Sequence, residues 1–141
     1  MFDEPEAVVA EVAAVAAALA SPAAAVDDHD RIERIRALDV LAAGAAAARA
    51  AVITEFVESQ QAAQRAAGRD AGRYGRREVG ISEQVALARG VSPATGARQV
   101  MAARTLVREL PRTHRLLAAG RISEWTATLV VNGSAGLDAE D

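Results

Sequence analysis

The chain has 141 residues, no Lys, 16 Arg against 19 acids, and a net charge of −3, which suits one domain with a modest core. Ala supplies about a quarter of it and only Phe2, Phe56, Tyr74 and Trp125 are aromatic, so closely packed helices must replace bulky side chains. The absence of Cys excludes disulfides and thiolate metal sites and makes a reducing cytoplasm the expected setting.

Period-two runs of Val, Ile, Thr and aromatics are missing, so the expected class is all-α. Pro5 opens a first helix, with Val8, Val12, Val15 and Leu19 on one stripe, and Ser21-Pro22 ends it. Acidic residues precede and interrupt this stretch where a signal peptide needs a basic region, and it is too short and too weakly apolar to span a bilayer. The acidic cluster Asp27 to Asp30 then favours the start of a much longer helix. Ile32, Ile35, Leu38, Leu41, Ala45, Ala48, Val52 and Phe56 recur every three or four residues, which predicts helix from about Asp30 to Ala67. Such a rod, on the order of 55 Å long, packs against another helix or a second subunit.

Four glycines between Gly68 and Gly80 predict a loop carrying Arg69, Arg73, Arg76 and Arg77. Helices are expected at 81–89, 93–109, 112–119 and 123–131, the last capped by Ser123 and stopped by Asn132-Gly133. Residues 1–131 then form a single helical domain, and 132–141 an acidic, poorly ordered tail. Charge is unevenly spread: residues 1–60 carry −7, residues 61–125 carry +7, and residues 126–141 carry −3. Local charge governs contact with phosphate, and the basic segment holds the next motif.

Residues Ser82 to Leu106 have the features of a helix-turn-helix hairpin. Ala86 is small where two helices would cross, Gly90 suits the turn, and Val85 and Val91 are apolar plugs. Ser92 is a good N-cap, and Pro93 at the first helical position loses nothing by lacking an N–H. Arg89, Gly96 and Gln99 depart from the apolar anchors usual in DNA-binding versions. A core face can still be built from Gly96, Val100, Ala103, Val107 and Leu110. The opposite face then presents Ala94, Thr95, Arg98, Ala102 and Thr105, small residues around an Arg that can read guanine bidentately. An ordinary solvated face is the bland alternative. Arg69, Arg73, Arg76, Arg77 and Arg104 are candidates for phosphate contact, with Thr95 and Arg98 nearest a groove. Tyr74 within the loop could stack on a base.

The blocks "ALDVLAAGAAAARAAV" and "EVGISEQVALARGVSPATGARQVMAARTLVRELPRTHRLLAAGRISEWTATLVV" resemble the actinobacterial 13E12-repeat family, domain of unknown function 222. Glu83, Val85, Ala86, Leu87, Ser92, Pro93, Ala97, Ala103, Leu110, Pro111, Leu116, Leu117, Gly120, Ile122, Ser123 and Trp125 carry the likeness, which covers about residues 30–131. The resemblance implies an α-helical domain that precedes an HNH endonuclease domain in longer relatives, and hence a DNA-processing context. The family pattern dissolves after Trp125 into "NGSAGLDAED", so the chain reads as truncated before the nuclease or as a domain acting alone.

An HNH site needs a His base and metal ligands, and only His29 and His114 occur here. His29 falls in the helix-start cluster, where capping is the expectation. His114, between Arg112 and Arg115, suits a surface or phosphate-facing role. No catalysis, cofactor or metal is therefore expected of this chain. The expected partners are double-stranded DNA and a second copy of the chain, with no membrane. The rival reading is a helical oligomerisation or protein-docking module without DNA contact, its basic half docking on an acidic partner or on the acidic half of a neighbouring subunit.

Overall fold

The computed structural model describes residues 4–67 and 76–136. They form six α-helices and no strand: α1 Glu4–Ala20, α2 Asp28–Ala66, α3 Arg76–Arg89, α4 Pro93–Arg104, α5 Pro111–Ala118 and α6 Glu124–Ala135. The chain is therefore all-α, with a 39-residue helix and a helix-turn-helix hairpin. It divides into two compact units, residues 1–35 and 36–141.

In the first unit, every described side chain of α1 is exposed. Asp27, not His29, caps α2. Its carboxylate accepts a hydrogen bond from the Asp30 N–H at 2.8 Å, and the Asp30 carboxylate accepts one from the Val26 N–H at 3.0 Å. Arg34 completes this start: it donates to Asp30 at 3.0 Å and to the carbonyls of Ala23 and Ala24. With Arg34 as donor and the Val26 N–H beside it, the Asp30 carboxyl is held below its usual range.

The second unit is organised by the remainder of α2. Its buried face is Ala43, Ala46, Ala47, Ala50, Ile53, Thr54 and Val57. The stripe of large residues that announced the helix lies elsewhere: Leu38 is 48 % exposed, Leu41 40 % and Val52 61 %, whereas Ala47 is 1 % exposed. Alanine wins the inner face because its single methyl lets neighbouring helices come close, and close approach recovers contacts that small side chains otherwise forfeit. The Thr54 hydroxyl, fully buried, donates to the Ala50 carbonyl at 2.9 Å.

By length and apolarity α2 is the one described helix that could cross a bilayer, but Ala-rich core helices pass the same test. Here its inner face joins Ile81 and Val85 of α3, Val100 and Ala103 of α4, Leu117 of α5 and Val131 of α6 in one core.

The hairpin closes with the same motif that later joins α5 to α6. At Gly90 (φ 65°) the Val91 N–H reaches the Ala86 carbonyl at 3.0 Å and the Gly90 N–H reaches Leu87. At Gly120 (φ 70°) the Arg121 N–H reaches Leu116 at 2.9 Å and the Gly120 N–H reaches Leu117. Both are Schellman endings, which need the left-handed conformation that glycine accepts. Ser92 caps α4 and Ser123 caps α6, accepting from the N–H groups of Thr95 at 3.2 Å and Thr126 at 3.1 Å.

Several boundaries differ from the sequence expectations. α3 begins at Arg76, so Arg76 and Arg77 occupy a helical first turn rather than a loop. Gly80 is tolerated inside that helix because Ile81, Ser82, Val85 and Ala86 behind it are buried. The expected 93–109 helix is interrupted: α4 ends at Arg104 and a π-helical turn, Thr105–Glu109, follows. Pro111 disfavours the α conformation at Leu110, whose N–H instead closes the wider turn on Thr105 at 3.0 Å. That turn fully buries Leu106, which the expected core face omitted, and leaves Val107 and Leu110 half-buried beside it. α5 starts one residue early, at Pro111. α6 runs through Asn132-Gly133 to Ala135, held by the buried Val131 whose carbonyl accepts from Ser134 at 2.8 Å. Residues 137–141 of the expected tail lie outside the described residues.

Candidate functional site

The first turn of α4 fixes the site's polar edge. The Thr95 hydroxyl accepts hydrogen bonds from Ser92 at 2.9 Å and from the Arg98 guanidinium at 3.1 Å, which holds Arg98 along the helix surface. Ala94, Ala97, Arg98 and Met101 form an exposed strip of α4. Thr95, Gln99 and Ala102 are half-buried and line, with the exposed Arg98 at the rim, a groove of about 450 Å³ bounded by α2, α3, α4, α5 and α6.

Two further arginines enter that groove. Arg49 of α2 pairs with Glu124 of α6, Nη2 to Oε1 at 2.8 Å. Arg89, the last residue of α3, is half-buried in the same wall. Desolvation lowers its pKa, and repulsion by Arg49 adds to that while Glu124 opposes it. Among the described residues the Arg89 side chain makes no ion pair or hydrogen bond. Beneath the polar edge the floor is apolar, built from Ile53, Leu106, Leu117 and Val131. Gln99 Oε1 is buried there without a partner.

The structure brings Thr95 and Arg98 together and separates Arg104 from them. Arg104 ends α4, and its charge, with that of Arg108, helps hold the Glu58 carboxyl below its usual range. Arg108 is the main cause, donating to both Glu58 oxygens at 2.7 and 2.5 Å. Arg69 and Arg73, with Tyr74, fall outside the described residues, and Arg76 and Arg77 are placed only as the helical start of α3. His114 is not on a phosphate-facing surface. Half-buried, it donates Nε2–H to the Ala47 carbonyl at 2.9 Å and ties α5 to α2.

Sequence reasoning did not place Arg49 or Arg89 in a site. Arg49 did carry a signal, being the one charge between Asp39 and Glu55. Arg89 showed as a charged residue at an anchor position of the hairpin. Among the described residues no group of three His, Asp or Glu could hold a metal ion. No protein-family model matches the chain, and no curated protein and no solved structure matches it either.

Proposed function

We propose that the chain is a DNA-associated helical domain, non-catalytic in itself, that presents α4 of its hairpin to a duplex. One observation carries this reading: α4 leaves a strip of small side chains, Ala94 and Ala97, beside the exposed Arg98 and Met101. A helix so trimmed can approach a groove closely, and Arg98 offers the guanidinium that recognises guanine. The +7 charge of residues 61–125 supplies the attraction to phosphate.

Fluorescence anisotropy with a labelled GC-rich duplex tests the reading. Ala97→Glu places a carboxylate on the exposed strip without touching the core. It should abolish binding at unchanged melting temperature. Binding equal to wild type would remove α4 from the interface.

A second reading, an oligomerisation module, is favoured by the outward stripe of α2, where Leu38, Leu41 and Val52 are exposed. The occupant would be a second copy, since residues 1–60 at −7 and residues 61–125 at +7 can neutralise each other between chains. Light scattering should then give a dimer mass that falls to the monomer in Leu38→Glu/Leu41→Glu. A monomer at all concentrations would dismiss it.

A further inference from the structure

The geometry points to the groove between α2, α4 and α6 as a binding site for a small organic anion, a carboxylate or phosphate monoester on an apolar body. This inference stands apart from the DNA reading, because a duplex cannot enter a space of about 450 Å³.

Charge comes first. Three guanidiniums from three helices, Arg49, Arg89 and Arg98, line one groove with a single carboxylate, Glu124. Arg49 spends its charge on Glu124 at 2.8 Å, so two positive charges remain uncompensated by the acids of the groove. Arg89 is the more telling of the two. A half-buried cation beside another cation is unfavourable on its own, and an anion arriving there would relieve both its desolvation and the repulsion. Arg98 is already anchored by the Thr95 hydroxyl and keeps further N–H donors for a carboxylate or phosphate.

A second observation lies deeper. The side-chain amide of Gln99 lines the groove, and its oxygen is buried without a hydrogen-bond partner. An orphaned buried amide oxygen is costly in a helical core, and because it accepts, a donor such as a hydroxyl on the bound molecule would satisfy it, not the anionic head itself. Below the arginines the walls are Ile53, Leu106, Leu117, Ala127 and Val131. The volume lies within the range of small-molecule sites, and a charged rim over an apolar floor selects a ligand with one anionic end.

The test uses the full chain without DNA, labelled with ¹⁵N and titrated separately with octanoate and with phenyl phosphate. Saturable shifts should map to Arg89, Gln99, Ala127 and Val131, and binding should weaken roughly tenfold or more in Arg89→Gln and in Arg98→Gln. Arg121→Gln, an exposed arginine outside the groove, should bind as wild type does. Saturation by only one of the two anions would support the site and identify its head group. The proposal is overturned if 1-octanol binds as tightly as octanoate, if inorganic phosphate binds as tightly as phenyl phosphate, or if both arginine variants keep wild-type affinity. Arg98 is exposed, so its variant remains informative even if Arg89→Gln were to misfold.

Discussion

Gly96 of α4 lies so close to Ala86 of α3 that a methyl group on Gly96 would sit 2.4 Å from the Ala86 Cβ and 2.9 Å from its Cα. The two helices cross backbone to backbone, and neither neighbour can give way, since the obstruction is Cβ and Cα rather than a flexible chain end. Gly96→Ala should therefore lower stability by about 1–3 kcal/mol despite alanine's better helix propensity. Gly44 of α2 is the internal control. A methyl there meets only the Ala118 carbonyl at 3.6 Å, an ordinary contact. Gly44→Ala should be neutral or stabilising by up to about 1 kcal/mol. Urea unfolding midpoints of the two variants check the contrast.

The two Schellman glycines separate backbone strain from collision. Around Gly90 there is open space, so Gly90→Ala carries only the left-handed penalty, about 1–2 kcal/mol. Around Gly120 a methyl would also strike Val40, at 2.7 Å from Cγ1. Gly120→Ala should cost more than Gly90→Ala. Adding Val40→Ala should recover part of the Gly120 loss and none of the Gly90 loss. Thermal or urea melts of these four variants and of Val40→Ala alone measure the coupling directly.

Acid stability should depend on Glu58 through a pairing of known sign. Arg108 lowers the Glu58 pKa in the folded chain, so the unfolded chain binds that proton more readily. The contribution is complete above the unfolded value, about 4.3, and is lost as pH falls through the lower folded value. Glu58→Gln should therefore make unfolding less steeply dependent on pH below about 4. An unchanged acid limb would show that the pair, exposed on the surface, contributes nothing measurable.

Arg89 should trade stability for recognition. Arg89→Met removes a half-buried cation from beside Arg49 while keeping a long apolar stem, and the melting temperature should rise. The same variant should lose the anion response of the groove. A fall in melting temperature would mean that Arg89 is already satisfied in solution.

The hairpin was legible because each of its parts has a local cause. Gly90 must turn, Ser92 must cap, and Pro93 can only begin a helix, so three adjacent residues announce one geometry. The buried face of α2 was not legible, because hydropathy contrast favours Ile35 and Leu38 over Ala43 and Ala47, whereas packing rewards the small residues. The start of α3 was hidden by Gly80, whose local preference the buried Ile81 and Val85 override. In "TLVRELP" only Pro111 hints at the π-helical turn, and nothing local states that the turn widens at Thr105. Arg49 and Arg89 stand 40 positions apart, and only the packing of α2 against α3 and α4 makes them one site.

The central claim, that basic side chains beside this hairpin hold DNA, is tested most directly by the salt dependence of duplex binding. Affinity for a labelled GC-rich duplex should fall steeply between two salt concentrations, with a log–log slope near −0.9 for each phosphate contact. Arg73→Ala/Arg76→Ala/Arg77→Ala should flatten that slope by about one for each contact removed, and Arg98→Ala should narrow the preference among duplex sequences. Binding that is equally weak for every duplex, with a slope the triple variant leaves unchanged, would contradict the account.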